Sequence, residues 1–540
     1  MTAPALRITL AASVCLGAGA ALALPPRLAA QTEFAIPVAR GTLRLDVTPY
    51  WLSYDHFYGL NVPGYANGAP VPINLDFQAE SLGVRSLPFL GPTQSNIQAA
   101  SGLGGFSLNL GHTQTVLNAS VRTIPIGLEY GLTDRLSIGV TVPIVRSRVD
   151  VNFAVDTATG KRSNVALANA DSVAPFRTQV DPALAALQQL AASGPAALRA
   201  RAQQILARLQ PFGALAHAVV LPVGTDSAGD SVTARLGGVE ASYDSLATQC
   251  TTSGCTLPPL NTSLALPDSS TTRDALETFF ADSTLPLAGD TMGTIVRTGI
   301  GDITAHATWQ FAEGARYRGQ LLATVQFPTG GTPYANSFLD LGTGTHLFAL
   351  EGAISNDVLL GSSFLVHATA RLGGARADNL ERRVTPPDLP FAPISQLAMV
   401  HRNPGGWWGV DVAPTWMLDD AFSVRLTYSY FSQAATHYTY VNAADSARVG
   451  LPASVLDEET DQRLSRIGGA VTFNTLPRWL AGTASVPYSL TVGYENTVWG
   501  RGGRVPQASM FRIQLRIFMM VFGHRPEAPA PSAAPAPTTP

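Results

Sequence analysis

Along residues 136–142 every second position is apolar: Leu136, Ile138, Val140 and Val142 alternate with Ser137, Gly139 and Thr141. This period predicts a strand with one apolar and one polar face. It recurs along the chain. In residues 511–522, Phe511, Ile513, Leu515, Ile517, Met519 and Val521 share one face, and Arg512, Gln514 and Arg516 the other. Ile303, Ala305, Ala307, Trp309 and Phe311 oppose Thr304, His306, Thr308 and Gln310, and Val424, Leu426, Tyr428 and Tyr430 oppose Arg425, Thr427 and Ser429. Twelve strand candidates follow, near 43–52, 117–131, 135–153, 297–311, 317–328, 344–355, 361–373, 406–418, 421–432, 463–475, 486–499 and 508–522. Several reach the roughly 9–11 residues that a tilted membrane strand needs.

The connections alternate in length. Short links are GLTDR before residue 136, the stretch at 312–316, SNDVLLG, LDD and a moderate one around TLPRWLAGTAS. Long ones span roughly 53–116, 154–296, 329–343, 374–405 and 433–462, with a shorter one near 500–507. Short turns on one side and long loops on the other predict an all-β fold, an antiparallel outer-membrane barrel of about twelve strands with both termini in the periplasm. Tyr130, Trp309, Trp416, Tyr428, Tyr430, Tyr494 and Trp499 gather toward strand ends, where an interfacial girdle belongs. On this reading an Arg at Val140 or Ile513 impairs insertion, whereas one at Ser137 or Gln514 is tolerated.

The barrel is expected over residues 32–525, with a partly helical extracellular insert at 154–296. Residues 181–210, DPALAALQQLAASGPAALRARAQQILARLQ, read as a helical hairpin with Asp181 and Ser193 as N-caps and Gly194–Pro195 as the break. TTRDALETFF reads as a further short helix. Such an insert covers the outer mouth, enters the lumen as a constriction, or stands as a solvated loop domain.

Composition agrees. Charged residues make up 14% of the 540-residue chain, below the roughly 25% of soluble proteins, and beyond the N-terminus no apolar run approaches the roughly 20 residues of a membrane helix. A formal net charge of −3 argues against nucleic acid as a partner. Lys161 is the sole lysine among 35 basic residues, a bias that fits base composition of the gene. Residues 1–31 read as a signal peptide: Arg7, an Ala/Leu-rich segment from Ile8 to Leu24, and small residues that place cleavage after Ala23 or near Ala30–Gln31. Val14 before Cys15 is not the small residue of a lipoprotein signal. Cys250 and Cys255 remain, and an even, closely spaced pair in an exported chain predicts a local disulfide rather than a metal site, since no His or Asp cluster surrounds it. From Pro526 the Pro/Ala-rich tail cannot build a core.

The polar faces supply the candidate functional residues. Glu129, His306, Glu351, His367, Arg371, Asp411, Arg425, Arg466, Glu495, Arg512 and Arg516 are expected to line the lumen. The mixed signs do not indicate a strongly ion-selective pore, and charges that merely pair and fill the lumen are the competing reading. No GxSxG motif, Walker loop, metal-ligand spacing or nucleotide fingerprint appears, so neither a catalytic residue, a metal nor a cofactor is expected.

Four motifs in order, GLTDRLSIGVTVPIV (131–145 within its strand pair), GIGDITAHATWQF, ATVQFPTG (323–330) and LGTGTHLFALEGAIS (341–355), resemble the outer-membrane protein family assigned to the meta-pathway of phenol degradation. The resemblance covers mainly 117–153 and 297–522. It implies a barrel of a Gram-negative-type bacterium that passes small, often hydrophobic, compounds. The large insert, and a last strand followed by a tail, depart from that pattern. The expectation is therefore a monomeric channel in outer-membrane lipid for passive passage of small solutes. The alternatives are an adhesive or structural barrel displaying long loops, and an outer-membrane hydrolase.

Overall fold

The computed structural model describes residues 38–59, 62, 64–156, 162–289, 292–480 and 482–521. The expected signal peptide and the tail lie outside these residues. Fourteen segments form one antiparallel sheet, and two pairs of them are halves of a single interrupted stave, leaving twelve. They are β1 (Thr42–Val47 and Tyr50–Tyr54), β2 (His112–Gly131), β3 (Leu136–Asp156), β4 (Ile295–Ile300 and Thr304–Glu313), β5 (Tyr317–Gln326), β6 (Ala349–Leu360), β7 (Phe364–Ala375), β8 (Trp407–Met417), β9 (Phe422–Gln433), β10 (Gln462–Asn474), β11 (Tyr488–Gly502) and β12 (Ser509–Met520). Pro49, which has no N–H to donate, interrupts β1, and its carbonyl accepts from the Ile513 N–H at 3.0 Å. The sheet closes where β12 pairs with β1, Thr42 opposite Met520 and Tyr50 opposite Arg512.

The predicted strands are therefore the observed staves, shifted by a few residues. The largest shift is at β6, which begins at Ala349 rather than near 344, because residues 341–347 are drawn off the wall. The GLTDR turn closes through Thr133, whose Oγ1 accepts from the N–H of Arg135 and of Leu136.

The outer wall carries an apolar belt. Leu128, Ile138, Val140, Leu350, Ile354, Leu372, Leu426, Ile467, Val492 and Phe511 are all exposed. A closed barrel has no unpaired edge, and exposed aliphatics in a continuous belt are stable only against lipid. The fold is that of an outer-membrane β-barrel. Exposed tryptophans mark both rims: Trp309 and Trp416 beside short turns, Trp408 and Trp499 beside long loops. Among the described residues no helix is long and apolar enough to cross a membrane.

β2 and β3 have 20 and 21 residues, so at about 3.3 Å per residue they outrun the bilayer. Their polarity inverts where they leave it. Up to Ile144 the even-numbered side chains of β3 are apolar and face outward; from Val145 the odd-numbered Val145, Val149 and Phe153 are apolar and buried, and Arg146, Arg148 and Asn152 face water. β2 switches at the same height, Thr123 opposite Val145, with Leu117 and Ala119 buried above it.

Over this apolar inner wall sits a cap built from the loops. It contains α1 (Gly91–Ser101), α2 (Ala170–Ser193), α3 (Ala196–Ala216), α4 (Ser227–Thr252) and α5 (Arg273–Ala281). α2 starts eleven residues before the expected Asp181 because Asn169 caps it, accepting from the N–H of Asp171 and Ser172. Pro175 and Pro182 lie inside it. α2 ends at Ser193, and Pro195 rather than Ser193 is the N-cap of α3. Val173, Phe176, Val180, Ala183, Leu187 and Leu190 form the buried stripe of α2. α5 matches the short helix expected from TTRDALETFF, capped by Thr272. Cys250, at the end of α4, is bonded to Cys255.

Two arginines lock the cap. Arg504, between β11 and β12, reaches Asp76 in the first loop, Glu459 at 2.8 Å and the Pro387 carbonyl at 2.8 Å. Burial opposes its charge, but Asp76 and Glu459 outweigh that and hold its pKa above the usual guanidinium value. Arg383 donates to the carbonyls of Leu287, Ala288 and Ala392, joining the insert to the β7–β8 loop.

Candidate functional site

Each strand of the membrane-spanning wall presents alternate side chains to the lumen, and all eleven expected residues lie on that inward side. They do not form one line. Near the periplasmic turn of β2 and β3, Glu129 is held by Arg44 and Ser137, and His306 Nε2 lies 3.5 Å from it. At the same end of the barrel Arg516 Nε meets Asp46 at 2.9 Å, and Gln514 joins that carboxylate at 3.0 Å. Higher up, Arg371 Nη2 lies 3.1 Å from Asp411, and Arg512 Nη2 is 3.7 Å from Glu495. Arg466 is placed beside this group by register, on β10 opposite Ser429 of β9 and Thr497 of β11, and Ser429 in turn lies opposite Asp411. Arg425 lies lower on β9, opposite Thr415 and Ala470. Glu351 accepts from the Trp407 indole N–H at 2.8 Å near the outer rim.

The middle charges are buried. Arg371 is 4% exposed, Asp411 2% and Glu495 4%. In a water-filled pore such groups would be accessible, so the lumen is occluded at this height. Burial is made possible by glycines on neighbouring strands. A Cβ at Gly409 would stand 2.8 Å from Arg371 Nε, and one at Gly468 would stand 2.4 Å from Glu495 Cγ, so both side chains lie flat against bare backbone. Among the described residues no group donates a hydrogen bond to either Glu495 carboxylate oxygen. That part of the layer is held by charge proximity, with Arg512 3.7 Å away.

Burial also corrects one expectation from the strand pattern. Ser137 is 0% exposed and bonded to Glu129, and Gln514 is buried beside Asp46. The inward side is filled rather than wet, so an Arg at either position has no room.

His367 belongs to a chain that was not expected. Its Nδ1 is 2.6 Å from Asp357 Oδ1, its Nε2 is 2.8 Å from Thr369 Oγ1, and Thr369 is 2.7 Å from Ser355 Oγ. The order acid–imidazole–hydroxyl is that of a nucleophile relay. Here, however, the hydroxyl is shared with a second hydroxyl and all four side chains are buried in the wall. Among the described residues no group of three His, Cys, Asp or Glu side chains is arranged to hold a metal.

The sequence motifs converge at the break in β4. Asp302, buried, accepts from the N–H of Gly330 at 3.0 Å, of Thr345 at 2.7 Å and of His346 at 3.2 Å, and from the Thr345 hydroxyl at 2.8 Å. Gly330 and Gly344 pack backbone to backbone, since a Cβ on either would fall under 3 Å from the other's Cα. Thr343 Oγ1 donates to the Ile300 carbonyl, and Ser147, on the inner face of β3, donates to the Gly342 carbonyl at 2.8 Å. The β5–β6 loop is thus folded inward as a strap, with Asp302 as its pin. GIGD, FPTGG and LGTGTH are the three parts of one knot. Asp302, Asp340 and Arg297, which pair at the strap's far end at 2.6 Å, were missed as site residues, although the GIGD motif marks the first of them.

A depression of about 580 Å³ lined by Leu128, Ile138, Gly139, Val140, Ala305 and Ala323 lies on the lipid side of the wall and not in the lumen.

No family model matches the chain, and no curated protein matches it. Among solved structures it is similar to an outer membrane channel from Pseudomonas putida F1, with 10% identity, a TM-score of 0.41, and coverage of 90% of this chain and 99% of that one. It is also similar to the CymD monoaromatic hydrocarbon channel, at 9% identity, TM-score 0.26 and 96% of each chain. The Ralstonia pickettii toluene transporter TbuX matches at 8% identity, TM-score 0.27 and 89% of each chain. At these scores the resemblance is no more than that of one barrel to another.

Proposed function

We propose that this protein is an outer-membrane channel for small, apolar or aromatic solutes, as the resemblance to the phenol meta-pathway family implies. The carrying observation is the interior of the barrel. It is occluded by buried side chains, and above that layer the inner wall is apolar and packed against the cap. A charge layer whose members nearly compensate one another carries no strong ion preference. Glu495, without hydrogen bonds among the described residues, supplies a part that can shift without first breaking a committed network. The apolar inner faces of β2 and β3, bearing Leu117, Val149 and Phe153, suit a solute that sheds water before it meets the charges.

Uptake into proteoliposomes by the full chain, across a panel of sugars, organic acids and monocyclic aromatics, tests this. Entry of aromatics above the rate of protein-free vesicles, with sugars excluded, is expected. Equal passage of sugars, or no passage of any solute, overturns the reading.

A further inference from the structure

Four phenylalanines from four separate segments meet beneath the cap. Phe77 comes from the first loop, Phe280 from α5, Phe338 from the strap and Phe391 from the β7–β8 loop. The Phe391 ring lies at the centre. It is stacked on Phe280 at 4.9 Å and 23°, and it meets Phe77 at 5.6 Å and 83° and Phe338 at 5.7 Å and 76°. Phe280 in turn touches Phe153 of the barrel wall at 5.9 Å. One stacked and two near-perpendicular contacts are the arrangements that aromatic rings favour. Three rings of the protein thus form a cage, and the fourth fills it.

The segment that carries the filling ring is half buried and held mainly by side-chain contacts rather than by its own backbone donors. Residues 385–394, TPPDLPFAPI, contain four prolines, which have no N–H to donate. The bonded backbone donors Leu389 and Ala392 reach only Pro386 and Pro390, inside the segment itself. Its outward ties are the Phe391 ring, arginine contacts to the Pro387 and Ala392 carbonyls, the Gln396 N–H on the Pro393 carbonyl at 2.9 Å, and the Ile394 N–H on Pro286 at 2.7 Å. The cage side is better anchored. Phe280 is part of a capped helix, Phe338 is on the strap pinned by Asp302, and Phe77 sits where Thr113 and Thr115 both donate to its carbonyl.

We propose that this cage is a binding site for a monocyclic aromatic solute, and that Phe391 is its resident plug. The solute stacks on Phe280 and takes the edges of Phe77 and Phe338 as the proline-rich segment swings aside. Its class follows from the ring that the cage already holds: planar, uncharged and the size of benzene or toluene. The proposal rests on the channel reading above, for which the cage is the first station outside the charge layer. Trp407, Phe431 and Leu464 of the barrel rim continue the same apolar cluster downward from it.

The test uses the full chain in detergent micelles, with fluorobenzene observed by fluorine NMR. Saturable binding to the wild type is expected, displaced by toluene and at least tenfold less well by cyclohexane, which has similar volume but no π face. Phe391→Ala, which removes the plug, should strengthen binding about tenfold. Phe280→Leu, which keeps an apolar side chain and removes the stacking face, should weaken it at least tenfold, as should Phe338→Leu if the first variant does not fold. Fluorobenzene that binds Phe391→Ala but not the wild type would show an ordinary core ring and overturn the site. Proteoliposome uptake separates the two readings. Aromatic passage unchanged in Phe280→Leu leaves a channel without this site, whereas wild-type binding without passage leaves the site and removes the channel.

Discussion

The two halves of the β2–β3 hairpin solve opposite problems with one backbone. In the lower half Ile138 and Val140 face lipid while Ser137 and Glu129 face inward; in the upper half Arg146 and Arg148 face water while Val149 and Phe153 face inward. The strand continues unbroken through the change, since the ladder runs from His112 opposite Asp156 to Gly131 opposite Ser137. Solvent, not backbone, decides which face must be apolar. Lipid asks for apolar residues outside, and a cap with its own core asks for them inside.

The contrast can be broken from either side. Phe153→Ala removes a fully buried ring that joins β3 to the cap, and truncations of this kind cost about 3–5 kcal/mol. The cap should become open to trypsin at Arg199 and Arg201, while the barrel keeps its heat-modifiable band on gels. Loss of the folded band as well would mean the halves are not separable. Val140→Arg places a charge against lipid, at about 2–4 kcal/mol near the midplane. Folding into bilayers, followed by urea titration, should show the loss, and normal folding would refute the face assignment. Between the halves, Asp302→Ala strands three backbone N–H groups of the strap, at about 1–3 kcal/mol for a buried unsatisfied group. Faster proteolysis between residues 327 and 348, with the heat-modifiable band intact, is the expected sign.

The smallest effect concerns pH. Burial, with Asp244 adding to it, pushes the Tyr243 hydroxyl up to about 12, and that hydroxyl donates to the Pro258 carbonyl at 2.8 Å. A raised folded pKa means stability that is complete below the unfolded value, about 10, and is lost as pH climbs toward 12. Circular dichroism of the cap helices should weaken across that window, and Tyr243→Phe should lessen the loss. An identical alkaline profile in the variant would assign the loss elsewhere.

Much of the barrel was legible because its information is local. Period-two alternation and loop lengths fix the strands, and the inward side of each follows from residues such as Arg512 and Gln514 between Phe511, Ile513 and Leu515. The inversion was legible too, as a phase slip from even to odd apolar positions at Ile144–Val145, but it reads as one strand unless the phase is followed. The occlusion of the lumen was not legible, since whether Arg371 is wet or buried depends on what leans across from Gly409 and its neighbours. Nor was the cap. Asn169 starts α2, yet Pro182 presents the stronger local signal for a start. Phe77, Phe280, Phe338 and Phe391 share no spacing that would announce their meeting. Contacts between loops that are far apart in sequence leave no periodicity to read.

That last property bears on the order of events as the chain folds. The Arg504–Asp76 lock joins residues 428 positions apart, so it forms only after the last long loop has emerged. Closing so long a loop loses chain entropy before any contact compensates it. Most staves pair with the next one in sequence, although closure joins β1 to β12 across almost the whole chain, and the upper hairpin keeps Leu117, Val149 and Phe153 unshielded until the cap is in place. Until the loops that cover them have docked, these three side chains form an apolar surface that the finished molecule never shows to water.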